Sequence, residues 1–539
     1  MNQSQESNDR REFLKQLGFY VAGTSFFSSY PQALSAKVRH GLPRSSPEAQ
    51  GVSSAEILKF VTEAERQNAG IHSFMVIRHG HVVAEGWWAP YRAEIGHDLY
   101  SLSKNFTSTA IGLVVQEGKL TINDKVISFF PDDTPAVVEP NLAAMCVRDL
   151  LTMSSGHGAD TLNPLLNTKN GTWAKTFLSI PLKYAPGTRF VYNTGATYML
   201  SAILHKVTGQ PMLEYLTPRL FAPLGIEGAE WDTDPQGINF GGAGLRLKTE
   251  DIAKFSQLYL QKGVWKGKRI LSEKWIEEAT SFQIANDETG TPTKKEEDDI
   301  KQGYGYQFWL SRPIAQGAYR SEGAFCQYSI VMPKQDAVVA INAEGISTKR
   351  MMDLVWGILL PSMKEGVLPK DRAAQKELET KLGSLKLLPP TGKPDSPVAS
   401  TVSGKTFKIE ENPAHVESIS FDFGKDATLF TFRDTTGEYR IKCGIGDWAL
   451  GETNIKGSPV NLFVAGIPLP RTTWKIAASG TWTNEKTFVM TWRFFESAHY
   501  DIVTCQFENN ELKVTYANSI TRILKQYKEP RPSLKGVLN

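Results

Sequence analysis

Ser101-Leu102-Ser103-Lys104 sets a hydroxyl and an amine three residues apart. On a helix, residues at that spacing share a face, so Lys104 would stand one turn beyond Ser101, within hydrogen-bonding reach of its oxygen. A serine hydroxyl is a useful nucleophile only when a base takes its proton. A lysine can be that base near neutral pH only where burial or a neighbouring cation depresses its pKa. A helix start adds unpaired backbone N–H groups whose partial positive charge favours the oxyanion of acyl transfer. The pattern suits covalent acyl transfer, but a motif this short recurs by chance. Taken alone it reads more readily as a capping serine beside a solvated lysine, so the surrounding elements have to decide.

Those elements alternate between strand and helix patterns from about Val52 to Leu360. Residues 73–85 read as a hairpin turning at Gly80, with His79 and His81 at a solvated tip rather than in a metal site. Helices are expected over Ser103 to Glu117, Ala196 to Thr208 and Thr249 to Gln261, the last with Thr249 as N-cap. Two strands, 328–333 and 337–342, and a helix over Thr348 to Leu360 close an α+β unit. A charged helical stretch, Lys370 to Leu382, leads into the proline-rich Leu388 to Pro397, which reads as a linker. Beyond it, runs such as Ser418 to Phe423, Thr428 to Phe432 and Thr487 to Phe494 alternate with period two. They predict an all-β barrel or sandwich, with a lipocalin-like barrel among the forms this patterning allows.

Four stretches follow one another in a telling order: Tyr100-Ser101-Leu102-Ser103-Lys104, the segment Arg148 to His157, the segment Pro186 to Asn193, and Gly323-Ala324-Phe325-Cys326-Gln327. With them the region resembles the serine β-lactamase and penicillin-binding-protein superfamily, in particular its class C β-lactamase-like hydrolase and esterase branch. The resemblance implies an antiparallel sheet flanked by helices, with Ser101 as nucleophile, Lys104 as its activating partner and Tyr192 as general base or proton shuttle. It also implies an oxyanion hole from the N–H groups of Ser101 and Ala324, close substrate approach at Gly323, and substrate contacts at Glu322 and Asn193. Two departures matter. Thr194 occupies the asparagine position of the family's Tyr-x-Asn motif, leaving Asn193 as the neighbouring amide. Ser321-Glu322-Gly323 lacks the cation of the third motif, which only Arg320 could replace by charge. Because that cation holds the substrate carboxylate in β-lactam-recognising relatives, esters rank first, then amides and peptides with D-residues, then β-lactams. The rival readings are a Ser-His-Asp triad through His157 and an envelope binding or sensor protein that does not turn over.

The aromatic runs Gly303 to Trp309 and Trp87-Trp88 suit a pocket lining or strand core equally. At 539 residues the chain calls for more than one folded unit, and its net charge of +3 creates no field that would draw in nucleic acid or an anionic membrane. Cys146, Cys326, Cys443 and Cys505 are scattered without metal-ligand spacing, so buried thiols are expected, and neither a metal nor an organic cofactor is implied. Asp9-Arg10-Arg11-Glu12-Phe13-Leu14-Lys15, an apolar run too short to span a bilayer, and Ala33-Leu34-Ser35-Ala36 read as a twin-arginine export signal. The expected organisation is a signal over 1–36, a serine hydrolase domain over 44–365, a helix and linker over 366–395 and a β-rich domain over 396–530. The expected product is a periplasmic or secreted hydrolase of a small ester or amide, with no nucleic-acid partner and no membrane span in the mature chain.

Overall fold

β-branched and aromatic residues on either side of Gly80 form β1 (Ile71–Arg78) and β2 (His81–Trp87). The chain reverses between them through His79 and Gly80, at φ of 48° and 73°. The computed structural model describes residues 41–286, 298–460, 472–523 and 527–539; the expected export signal lies outside them. Four further strands, β3 (Trp309–Leu310), β4 (Tyr319–Gly323), β5 (Gln327–Met332) and β6 (Ala337–Ala343), complete an antiparallel sheet in the order β2-β1-β6-β5-β4-β3. Both faces of its central strands are apolar. Met75, Ile77, Val338 and Ala340 enter one core, while Phe74, Val76, Val339 and Ile341 enter a second. Such strands need cover on both sides, and helices supply it.

On the second face lies α1 (Ser54–Arg66), burying Ile57, Phe60 and Val61. The first core holds α2 (Ser103–Gln116), α3 (Thr194–Thr208) and α4 (Thr249–Leu260). A surface helix would show one apolar stripe, but α2 is buried at every residue from Ser103 to Val114. Several of its polar side chains find internal partners: Asn105 donates to the Gln307 carbonyl (2.8 Å), Thr107 to the Gly241 carbonyl (2.8 Å), and Thr109 pairs with the Tyr259 hydroxyl (2.7 Å), while the buried Ser108 hydroxyl has none among the described residues. The cap of α4 departs from expectation, because Lys248 is its N-cap and Thr249 its first residue. The Thr249 hydroxyl is committed to Ser73 of β1 at 2.7 Å. The helix expected over Thr348 to Leu360 runs regularly over Thr348–Leu354 and then widens over Val355–Leu359.

After α5 (Arg372–Gly383) the proline-rich segment lies on the C-terminal domain, where Lys393 exchanges backbone hydrogen bonds with Trp482 at 2.8 and 3.0 Å. That domain contains β7 (Thr406–Ile409), β8 (Val416–Phe423), β9 (Ala427–Asp434), β10 (Gly437–Ile445), β11 (Ala449–Thr453), β12 (Trp474–Asn484), β13 (Thr487–Phe494), β14 (Tyr500–Glu508), β15 (Glu511–Asn518) and β16 (Leu534–Leu538). β16 lies beyond residue 530, between β7 and β15. Among the described residues the ring β10-β9-β8-β7-β16-β15-β14-β13-β12 closes where β10 runs parallel to β12, Gly444 opposite Ser479. Closure makes this a nine-stranded barrel rather than a sandwich and leaves its ring without free edges. Phe421, Phe430, Trp482, Trp492 and Phe507 fill it. Cys443 and Cys505 face the same core as free thiols, and burial pushes the Cys443 pKa up to about 12.

Candidate active site

Ser101 sits in a single tight turn, Tyr100–Leu102, at the head of α2. The backbone before it is pinned by Leu99 N–H donating to the Leu245 carbonyl (2.9 Å). Behind it, the Ser103 hydroxyl donates to the Tyr100 carbonyl (2.6 Å) and accepts from Leu245 N–H (3.2 Å). Neither this turn nor α2 has a side-chain cap, so the Ser101 hydroxyl is not spent as a helix cap.

Lys104, 1% exposed, holds its Nζ 3.0 Å from Ser101 Oγ and donates to the Gly242 carbonyl at 2.7 Å. Burial, opposed only in part by the charge of Asp160, brings its pKa down from 10.5 to about 7. An amine in that range exists substantially as a free base at neutral pH. The Tyr192 hydroxyl hydrogen-bonds Ser101, and burial holds it well above the ordinary phenol pKa, so it is a protonated phenol rather than a phenolate. Its ring lies 4.9 Å from Lys104 Nζ and stacks on Trp309 at 5.8 Å. Ser101, Lys104 and Tyr192 thus converge on one point.

Asn193 and Thr194 lie close by, but both side chains have other partners. Asn193 is fully buried at the head of α3, where its Oδ1 accepts from the Thr161 hydroxyl (2.8 Å) and from Ala196 N–H (3.3 Å). Thr194 is bound to Asp160. A Cβ added at Gly242 would stand 2.6 Å from Thr194 Cγ2, so the carbonyl that receives Lys104 belongs to a residue with no room for a side chain.

Glu322 and Arg320 pair at 3.1 Å, and Glu322 also accepts from the Thr348 hydroxyl at 2.6 Å. Arg320 is 0% exposed and donates to the carbonyls of Leu310 and Asp299, both at 2.9 Å. Its guanidinium is spent inside the protein and does not take the place of the third-motif cation. Gly323 has a packing reason: a Cβ there would meet the Leu99 carbonyl oxygen at 2.2 Å, so its absence lets β4 lie against the segment leading to Ser101. Ala324 then opens a tight turn in which Phe325 and Cys326 both take φ of 64°. The Gln327 amide spans this turn, donating toward the Ala324, Phe325 and Ala343 carbonyls at 3.1, 3.0 and 2.7 Å.

His157 is buried against the Phe177 ring and paired with the Ser155 hydroxyl at 3.0 Å, and burial lowers its pKa to about 4. Asp160 and the Gly242 carbonyl are site features that the motifs did not single out, and Trp309 ends an aromatic run that suited a pocket lining or a strand core equally. The glycine-dense run Gly241-Gly242-Ala243-Gly244 is the one local signal that a close backbone approach occurs there. Among the described residues no group of three or more His, Cys, Asp or Glu is arranged to hold a metal, and no helix is long and apolar enough to cross a membrane.

A profile of the family described as Beta-lactamase matches residues 59–353. A 6-aminohexanoate-dimer hydrolase of Paenarthrobacter ureafaciens is 26% identical over 220 residues, 38% of this chain and 56% of that protein. Among solved structures, EstCE1, described as a hydrolase with promiscuous acyltransferase activity, superposes with a TM-score of 0.47 at 18% identity, covering 57% of this chain and 99% of its own. The octameric penicillin-binding protein homologue from Pyrococcus abyssi does so with a TM-score of 0.44 at 16% identity, covering 89% and 99%. The chain spans about half the length of the curated relatives it matches.

Proposed function

Because the chain belongs to the Beta-lactamase family of serine hydrolases, we propose that it cleaves a carboxylic ester or amide through an acyl-enzyme on Ser101. The observation that carries this reading is the buried Lys104 amine, 3.0 Å from Ser101 Oγ with its pKa near 7, beside the Tyr192 hydroxyl. In the first step Ser101 Oγ attacks the carbonyl carbon while its proton passes to Lys104. The N–H groups of Ser101 and Ala324 receive the oxyanion, and the leaving alcohol or amine departs with a proton relayed through Tyr192. In the second step the same pair takes a proton from water, whose oxygen attacks the acyl carbon; the acyl carbon–Oγ bond breaks, the carboxylic acid leaves, and the pair returns the proton to Ser101 Oγ.

The commitment of Arg320 to Glu322 and internal carbonyls supports substrates without a carboxylate to be clamped. Esters therefore come first, amides second and β-lactams last. The relative from Paenarthrobacter ureafaciens is named a 6-aminohexanoate-dimer hydrolase, and an amino acid dimer joined head to tail would fall in the second class. The twin-arginine segment at Arg10-Arg11 supports export to the periplasm or beyond, checked by finding the mature N-terminus near Lys37.

The test is a panel of nitrophenyl esters, nitroanilides and nitrocefin, with intact-mass detection of a fluorophosphonate adduct. Turnover of esters or amides, with the adduct lost in Ser101→Ala, is the expected result. Turnover of nitrocefin alone would overturn the substrate order. An adduct without hydrolysis of any class would overturn the enzyme reading.

A further inference from the structure

Both sides of the reacting centre contain non-glycine residues in the left-handed region: Tyr100 at φ 49°, just before Ser101, and Phe325 and Cys326 at 64°, just after Ala324. Such conformations cost free energy and persist only where the surroundings over-determine them. The Tyr100 and Phe325 rings meet edge to face at 5.1 Å, and the third member of their cluster is His499, from the loop between β13 and β14 of the barrel. Its ring stands edge-on to both, 5.9 Å from Tyr100 and 5.2 Å from Phe325. Ala498 and Ile520, also from the barrel domain, complete this small core.

The hydrogen bonds fix the orientation of each group. The Tyr100 hydroxyl lies 3.0 Å from His499 Nε2, and its oxygen also accepts from the Ala498 backbone N–H. A backbone N–H only donates, so the hydroxyl accepts from Ala498 and directs its own proton to His499 Nε2. His499 Nδ1–H then donates to the Ser519 hydroxyl oxygen at 3.0 Å, and the imidazole is neutral, as its burial also requires. The same loop is tied to the hydrolase domain by Asp98 N–H donating to the Glu496 carbonyl (2.8 Å) and by the Tyr91 hydroxyl donating to the Ser497 carbonyl (2.9 Å).

We infer that His499 is a positioning residue through which the barrel completes the active site: by bracing Tyr100 and Phe325 together, it sets the distance between Ser101 and the Ala324 N–H. The inference rests on the reading of Ser101 as nucleophile and Ala324 as oxyanion donor. It makes the barrel a structural part of the hydrolase and needs no substrate contact from it.

The test uses the full chain with His499→Ala, His499→Gln and Tyr100→Phe, measuring kcat and KM on the best ester of the panel, affinity for a phenylboronic acid as a tetrahedral mimic, and thermal unfolding. His499→Ala should lower kcat and boronate affinity together by roughly 10- to 100-fold, the cost of small misplacements of reacting groups, with KM little changed. His499→Gln, whose amide oxygen can accept from the Tyr100 hydroxyl, should recover most of the loss. Tyr100→Phe removes only the hydroxyl and should lower kcat in the same direction, so a failure of His499→Ala to fold leaves the inference testable. Unchanged kcat and boronate affinity in folded His499→Ala or in Tyr100→Phe would overturn it, as would a loss confined to KM. Fluorophosphonate labelling of the wild type, absent in Ser101→Ala, reports the underlying reading separately: if labelling stands and the His499 and Tyr100 variants are silent, this inference alone falls, and if Ser101 is not labelled, both fall.

Discussion

Thr194 gives both its backbone N–H (2.8 Å) and its hydroxyl (2.9 Å) to the carboxylate of Asp160. The charge held there raises the pKa of Lys104, against the larger effect of burial. Asp160→Asn keeps an acceptor for the Thr194 N–H but removes the charge, so Lys104 should lose its proton more easily. The acid limb of kcat/KM against pH should move to lower pH, with little change in thermal midpoint. A limb that stays in place would show that the Asp160 charge does not act on Lys104.

Lys104 itself links activity to stability. Lys104→Met should reduce kcat by roughly 100- to 10,000-fold, the range for a lost general base. It should also raise the thermal midpoint, because a buried amine is replaced by an apolar chain of similar length. The sign with pH follows from linkage. In the wild type the folded pKa of about 7 lies below the unfolded 10.5, so between those values the unfolded chain holds the extra proton and wild-type stability rises with pH. The advantage of the methionine variant should therefore shrink from pH 7 toward pH 10, and an advantage constant with pH would contradict the depressed pKa.

Gly323 separates packing from chemistry. The 2.2 Å approach of an added Cβ to the Leu99 carbonyl cannot be relieved by a rotamer change, since the opposing atom is backbone. Gly323→Ala should cost about 1–3 kcal/mol of stability through overpacking and should lower kcat by more than the lost folded fraction explains, because β4 must retreat from the nucleophile's turn. At Gly383, the end of α5, an added Cβ meets nothing within 4 Å. Gly383→Ala should leave stability within about 0.5 kcal/mol and activity unchanged, as denaturant titration and the ester assay would show.

Acid sensitivity should come from buried imidazoles. Burial holds His157 down to about 4 and His499 to about 3, against an ordinary 6.5. Below pH 6.5 the unfolded chain takes up protons that these folded residues refuse, so stability is present above that pH and is lost as pH falls toward the folded values. Thermal midpoints measured from pH 7 to 4 should decline steadily, and His157→Gln should make the decline shallower. An unchanged slope in that variant would remove His157 from the account.

Much of this organisation was legible in local chemistry. The hairpin at Gly80 follows from period-two alternation around a residue that turns freely, and the approach of Lys104 to Ser101 follows from helical spacing. The choice between barrel and sandwich was not legible, because it depends on Gly444 meeting Ser479 across a parallel contact that no local pattern encodes. Arg320 looked available because its charge shows in sequence while its burial does not. Asn193 looked like a substrate amide for the same reason, although its side chain completes the head of α3. The Gly242 carbonyl is backbone, which residue type cannot advertise. His499 lies 398 positions after Ser101 and meets its neighbour only through the fold.

The burial of α2 on every side sets a gradient of persistence through the site. Amides of a helix with no solvent-facing flank exchange with deuterium only when the surrounding core opens, so Lys104 should ride on the slowest-exchanging part of the hydrolase domain. The turns carrying Ser101 and Ala324 lie instead against the barrel's His499, where two domains meet, a seam that opens more readily than a core. On warming, this seam should loosen before α2 does. Hydrolysis would then fade over a temperature range in which Lys104 is still folded and buried.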